Sequence, residues 1–364
     1  MNEAQRIEHA LPAIITWYTS NRRALPWRED PTPYHIWISE IMLQQTRIEA
    51  VIPYYKRFLQ QLPDLTALSA VPEDRLLKLW EGLGYYSRAR NLKRAAITVT
   101  EQYGGALPCK ASELKKLPGI GDYTAAAIAS IAFGEPEPAV DGNVLRVTMR
   151  LLAHTDDIAD PRTRKDIAAL LRRFYPAGEN ASLLTEGLME LGEVICLPNS
   201  IALCAQCPLN SVCLAHESGK EEDYPVRSAQ KERRVEDRTV LLLRCGNRFA
   251  IRKRPGKGLL AGLWEFPNLE GLLNASSALA AAEAMGVSVL HIAPCGEAKH
   301  IFTHVEWRMT GYLLSCAKEA KGFLWLTPEE IGTSYSIPTA FRFWQKKLSS
   351  FTEDPVPPGS DQTR

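Results

Sequence analysis

Up to about residue 217 the apolar residues recur at intervals of three and four. The stretches AIITWY, HIWISEIMLQQT, RLLKLWEGLG, LKRAAITVTEQYG, AAAIASIAFG and DIAALLRRFY each put one apolar stripe on a helix, and Pro and Gly separate them. This predicts an all-α region over 1–217. The charged run SGKEEDYPVRSAQKERRVEDR then breaks the pattern, and 218–237 reads as a polar linker. Beyond it TVLLLRC, RFAIRKR and VEWRMTGYLL have the alternating texture of strands, with one Ala-rich helix near residues 275–285. A smaller α+β domain is therefore expected over 238–350, followed by a disordered tail over 351–364 that contains EDPVPPGSDQTR. No internal repeat is visible.

Composition narrows the class without naming a function. With 364 residues, 45% of them hydrophobic and 23% charged, the chain is ordinary globular material and long enough for two or three domains. The N-terminal stretch has no basic segment leading into an apolar run, and nowhere do eighteen apolar residues follow one another, so a cytoplasmic protein is expected. In that reducing setting clustered cysteines are metal ligands sooner than disulfides. The scattered Cys109, Cys245, Cys295 and Cys316 read as small core residues.

The net charge of +1 gives no global sign of a polyanionic partner. Locally, YYSRARNLKRA sets Arg88, Arg90, Lys93 and Arg94 beside two tyrosines, a combination that grips phosphates and stacks on bases. A solvated helix face with buried tyrosines accounts for the same stretch equally well.

Four of the eight cysteines, Cys196, Cys204, Cys207 and Cys213, follow the spacing C-x7-C-x2-C-x5-C in one compact loop. Zinc modules usually pair two C-x2-C knuckles across a longer spacer, and here there is only one. Four thiolates wrapped so tightly suit an iron–sulfur cluster, while zinc, or no metal at all, remains an alternative on spacing alone. Neither a histidine nor an open ligand position is evident, so the site reads as structural rather than catalytic.

LKKLPGIGDYTAAAIASIAFG is a short helix, a Pro-Gly-Ile-Gly turn and an Ala-rich helix. Gly119 and Gly121 let the chain turn tightly and bring N–H groups to the start of the second helix, where a phosphate can sit. Two carboxylates stand in unlike surroundings. Glu40, in the mostly apolar HIWISEIMLQQ, would be kept protonated by burial, whereas Asp141, where a loop enters a helix in EPAVDGNVLRV, would be kept ionised by the helix dipole and capping N–H groups. The plainer readings are a water-facing Glu on an amphipathic helix and an Asp that only caps.

The order of LPGIGDYTA, VDGNVLR and the four-cysteine loop resembles the endonuclease III superfamily of DNA base-excision glycosylases. ALPWR, WISEIMLQQTR, GLGYYSRARNL and KGLLAGLWEFP resemble, within it, the MutY adenine DNA glycosylases, over nearly the whole chain. One departure is the first cysteine gap, seven residues here where the family commonly has six.

The resemblance implies a multidomain fold: an all-α helix–hairpin–helix glycosylase core with an iron–sulfur loop, then an α+β Nudix-like domain. It implies a 4Fe–4S cluster on Cys196, Cys204, Cys207 and Cys213. It also implies a monomer acting on double-stranded DNA with adenine opposite 8-oxoguanine or guanine. Glu40 matches the family's general acid, Asp141 the carboxylate that stabilises the cationic sugar, and Asn143 a supporting polar group. Strand-cleaving relatives carry a lysine nucleophile where this chain has Tyr123, and a phenol forms no imine, so a monofunctional enzyme is expected, with Tyr123 bonded near the sugar or Asp141.

The adenine must be flipped out of the stack. Gln45 and Tyr85 match the family's wedge residues, with Thr46 and Leu83 on the same surface. Arg23, Trp27, Arg28 and Glu186 match the adenine pocket. Phe302, Thr303 and His304 stand where the family reads 8-oxoguanine, with threonine in place of the usual serine. After WEFPNLE there is no dense acidic box for Mg²⁺, Glu283 being isolated, so this domain is expected to bind rather than hydrolyse. The alternatives are a bifunctional endonuclease III-like glycosylase/lyase and a non-catalytic iron–sulfur DNA-binding protein.

Overall fold

Helix starts are set by local chemistry. Asn2 and Gln5 form a reciprocal capping box at the head of the helix Glu3–Asn21, Thr32 caps Pro33–Leu43, and Asp141 caps Gly142–Leu152. The computed structural model describes residues 1–198, 201–228 and 232–353. The chain falls into two units. One comprises residues 1–71 and 90–228, the other residues 72–89 and those described from 232 onward.

The first unit is helical. Its core gathers Ile7, Leu11 and Ile14 of Glu3–Asn21, Val144, Leu145 and Leu151 of Gly142–Leu152, and Leu184, Leu188 and Leu191 of Glu179–Val194. These are the three- and four-residue intervals of the sequence turned inward. Cys196, Cys207 and Cys213 pack against the same core, so the cysteine loop is seated on it rather than hung from it. The hairpin joins Ala111–Leu114 to Asp122–Phe133. At the turn Gly119 has φ +78°, and a Cβ there would lie 2.4 Å from Asn91 Cβ, so only glycine fits.

The second unit is built on a seven-stranded mixed sheet: β1 (Arg234–Cys245), β2 (Arg248–Lys253), β3 (Trp264–Glu265), β4 (Asn268–Glu270), β5 (Val289–Ile301), β6 (Val305–Cys316) and β7 (Leu324–Leu326). The main order is β3-β2-β1-β6-β5, with β4 paired to β1 and β7 to β2. Only the β1–β6 pair is parallel among those described. TVLLLRC is not half-exposed as its alternation suggested. Val240 and Leu242 face one buried layer with Phe249, Phe266 and Trp344, and Leu241 and Leu243 face another with Ala278, Ala282 and Trp325. A strand covered on both sides needs apolar residues at every position.

β1 begins at Arg234, inside the stretch read as a linker, and the helix Leu348–Glu353 runs past residue 351. The rest of the expected tail, 354–364, lies outside the described residues, as do 229–231 of the linker. Residues 72–89, read with the helical region, pack in the second unit. Asp74 accepts from Lys253 Nζ at 3.2 Å and from the Trp264 indole at 3.4 Å. Lys78 Nζ donates to the Tyr335 carbonyl at 3.1 Å, and Glu81 accepts from the Ile337 N–H at 2.9 Å. Among the described residues no helix is long and apolar enough to cross a membrane.

Candidate active site

The helix Pro33–Leu43 is buried almost all round, from Tyr34 and Ile36 through Met42, so Glu40 cannot face bulk water and is only 6% exposed. Its carboxyl accepts one hydrogen bond, from Tyr123 Oη to Oε2 at 2.7 Å. Burial pushes Glu40 up to about 7. The Tyr123 bond works against that, and the Asp141 and Glu186 carboxylates add to it. Burial, then the Glu40 and Asp141 carboxylates, raise the Tyr123 phenol well above its ordinary range, so it remains a donor. Tyr123 was expected to bond near the sugar or Asp141, and its protein partner here is Glu40. Tyr123 is the second residue of Asp122–Phe133, and from there its phenol meets Glu40.

Asp141 is the N-cap residue of Gly142–Leu152. Oδ1 accepts from the Val144 N–H at 2.7 Å and Oδ2 from Asn143 Nδ2 at 3.0 Å, while Arg146 Nη2 donates to Asn143 Oδ1 at 2.8 Å. Burial raises Asp141 above its ordinary value, an influence that acts against the helix dipole and capping N–H groups expected to keep it ionised. The Val144 and Asn143 donors oppose the rise without reversing it. Gly192 keeps Asn143 in place, since a Cβ there would sit 2.5 Å from Asn143 Cβ.

Glu40, Tyr123, Asp141 and Asn143 line one cavity of about 460 Å³, within the usual range for small-molecule sites. The expected pocket residues Arg23, Trp27, Arg28 and Glu186 line it too, as do Gln45 and Thr46. Trp27 is buried and meets Tyr55 edge-on at 5.4 Å. Glu190, which the sequence did not single out, organises the arginines. It takes Arg23 Nε at 2.6 Å, Arg23 Nη2 at 3.0 Å and Arg28 Nη2 at 2.9 Å, while Arg28 Nε reaches Glu186 at 3.2 Å. Burial drives Glu190 up, but Arg23 and Arg28 outweigh it and hold the carboxylate below its ordinary range. The signal was present: Glu186, Glu190 and Glu193 recur at four and three in TEGLMELGE, on one face of the helix.

Gln45 and Tyr85 share a rare backbone feature. They are two of the four non-glycine residues with positive φ among those described, at 58° and 46°. Such strain is kept where function needs a side chain aimed. In the second unit Tyr85 stands 46% exposed on a loop pinned by Arg88, whose Nη2 donates to the Leu83 and Gly84 carbonyls at 2.9 and 3.2 Å. Arg88 and Leu83 are therefore buried, at 8% and 6%, and neither stands on the open surface expected of it. The turn from β5 to β6 carries Phe302, Thr303 and His304. Phe302 packs on Trp307 at 5.1 Å, Thr303 and His304 are exposed, and the Thr303 hydroxyl is hydrogen-bonded to that of Tyr85.

The four cysteines Cys196, Cys204, Cys207 and Cys213 line one small, largely apolar hollow. Arg150 Nη1 donates to Cys196 Sγ at 3.3 Å and the Leu209 N–H to Cys207 Sγ at 3.4 Å. Four sulfur donors on one hollow, with N–H groups aimed at sulfur, suit a thiolate-bound iron–sulfur cluster. In the second unit Glu265, the buried acid of the WEFP stretch, is taken by Arg252 at 3.1 Å, by Arg254 and by Asn268 Nδ2 at 2.7 Å.

Residues 38–173 match the HhH-GPD superfamily of base excision DNA repair proteins, and residues 239–344 a NUDIX domain. The chain is 31% identical to the adenine DNA glycosylase of Homo sapiens, over 92% of this chain and 73% of that one. It is 35% identical to that of Arabidopsis thaliana, over 86% of this chain and 58% of the plant protein. Among solved structures it resembles a thermostable thymine-DNA glycosylase (29% identity, TM-score 0.52, 59% of this chain and 98% of that one). It also resembles endonuclease III trapped in a covalent intermediate with DNA (27%, TM-score 0.51, 60% and 99%).

Proposed function

Since the chain belongs to the adenine DNA glycosylase family, we propose that it removes adenine opposite 8-oxoguanine or guanine in duplex DNA, as a monomer and without cutting the strand. The observation that carries this reading is Glu40, a buried carboxyl in the same cavity as Asp141; burial pushes Glu40 up to about 7. Breaking an N-glycosidic bond needs a proton on the departing base and negative charge beside the oxocarbenium-like sugar. Glu40 holds its proton near neutral pH and can give it to the base. Asp141, held by Val144 and Asn143, supplies the charge for the sugar.

The arginine–glutamate cluster lines the same cavity with fixed donors and acceptors for a flipped base, and Trp27 adds a flat apolar wall. Tyr123 stands where a lysine would be the lyase nucleophile, and its protonated phenol cannot form an imine. Gln45 and Tyr85 serve as wedges in the base stack, and Gly119 and Gly121 bring backbone N–H groups to a phosphate. Phe302, Thr303 and His304 read the base opposite the adenine. The Nudix-like unit binds without hydrolysing, a reading supported by Glu265 being committed to Arg252, Arg254 and Asn268. Cys196, Cys204, Cys207 and Cys213 would hold a 4Fe–4S cluster, which would brace the loop after Glu179–Val194.

The test is cleavage of duplexes carrying adenine opposite 8-oxoguanine, adenine opposite guanine, or thymine glycol opposite adenine, with and without alkali. Breaks that need alkali and occur only at adenine are expected. Breaks without alkali, or at thymine glycol, would replace this reading with glycosylase/lyase chemistry, and no cleavage at all would leave a binding protein.

A further inference from the structure

Next to the cysteine loop lies a pair of residues that the glycosylase site does not use. His216 and Glu221 line the same hollow as the four thiols, and one ligand atom from each lies within 4.8 Å of Cys204 Sγ and of the other. His216 Nδ1 and Glu221 Oε1 are 2.6 Å apart. A carboxylate on one ring nitrogen fixes the tautomer and turns an imidazole into an oriented ligand, the arrangement usual behind metal-binding histidines. His216 follows Cys213 by three residues and lies in the single helical turn Leu214–Glu217, so it shares its anchorage with another of the thiols.

Resting on the cluster reading above, we propose that His216 is a reserve ligand for the corner of the cluster that Cys204 holds, with Glu221 aiming it. The exchange is a substitution at iron. Were the Cys204 thiolate to leave, an imidazole ring nitrogen of His216 would offer its lone pair in place of the sulfur, and no electron would change hands. Imidazole is an accepted ligand to iron in such clusters, as histidines replace cysteines on one iron of Rieske centres. Among the described residues the one grouping of three or more His, Cys, Asp and Glu ligand atoms holds Cys204, His216 and Glu221, and none of the other three thiols belongs to it. A surface ion pair alone would account for the His216–Glu221 contact, but it would have no effect on metal retention.

The experiment measures iron, sulfide and visible absorption of the full-length protein as wild type, C204A, C207A, H216A and C204A/H216A. C204A is expected to keep about half or more of its iron, and C204A/H216A to fall to the level of C207A. H216A alone is expected to hold a full complement but to lose it to a chelator several times faster than wild type, a measurement that does not depend on C204A folding. The proposal is overturned if C204A is as empty as C207A, if C204A/H216A holds as much iron as C204A, or if H216A and wild type lose iron at the same rate. Wild-type protein isolated without iron would instead overturn the cluster reading itself.

Discussion

The Tyr123 phenol donates to Glu40 Oε2 at 2.7 Å, tying the first turn of the hairpin's second helix to the buried helix that carries the acid. That bond favours the ionised carboxylate and so works against the burial that raises Glu40 to about 7. In Tyr123→Phe the opposing influence is gone and Glu40 should keep its proton to higher pH. Because the acid must be protonated to act, the alkaline limb of kcat/KM should move up, by about one pH unit for a hydrogen bond to a charged group. Single-turnover adenine release measured against pH checks this. An unmoved limb would mean that the phenol does not tune the acid.

Glu40 also carries a cost that depends on pH. Its folded pKa, about 7, lies above the ordinary 4.5, so the folded state holds the proton more tightly than the unfolded chain. The stability this confers is fully present below about 4.5 and is lost as pH rises through 7. Glu40→Gln should therefore abolish adenine release yet stabilise the fold at pH 8 by about 3 kcal/mol, with little change at pH 4.5. Denaturant titrations at the two pH values decide it, and equal effects at both would remove burial of the charge as the cause.

Glu190 is 2% exposed and is the shared acceptor of Arg23 and Arg28. Truncating one partner of a buried ion cluster leaves the rest uncompensated. Glu190→Ala should cost about 3 kcal/mol of stability and weaken substrate binding together. A loss below about 1 kcal/mol in chemical denaturation would mean that water replaces the carboxylate.

Much of this site could be read in advance because the side chains proposed as catalytic stand in short runs whose local structure is dictated locally. Glu40 sits in an apolar helix, Asp141 at a cap, and Tyr123 just past a Gly-rich turn. Glu190 escaped because its role arises from arginines more than 160 positions away in the chain, and periodicity says only that it shares a face with Glu186. The same limit hid the burial of Arg88. A basic residue beside tyrosines looks like a phosphate contact until the loop carbonyls of Leu83 and Gly84 are seen to occupy it. Strand pairing was least accessible, since the parallel β1–β6 ladder joins segments some seventy residues apart that nothing local connects.

Thr303 and Tyr85 were read separately, one as a lesion reader and the other as a wedge, and their hydroxyls are hydrogen-bonded to each other. Thr303→Val keeps the shape and removes the bond. It should lower the preference for adenine opposite 8-oxoguanine over adenine opposite guanine by roughly tenfold, the equivalent of one hydrogen bond, and Thr303→Ser should restore it. Competition between the two duplexes checks this, and an unchanged preference in Thr303→Val would take the hydroxyl out of discrimination.

Residues 72–89 give the chain two different seams, one where its sequence changes texture and one where its packing divides. A gene cut at the polar linker would not deliver two finished products. The amino-terminal fragment would carry Asp74, Lys78 and Glu81 away from Lys253, Trp264, Tyr335 and Ile337, and the carboxy-terminal fragment would be missing a wall of its own. The Nudix-like part is thus poorly suited to inheritance as an independent cassette. A recombination that replaced it would have to bring a compatible 72–89 from upstream.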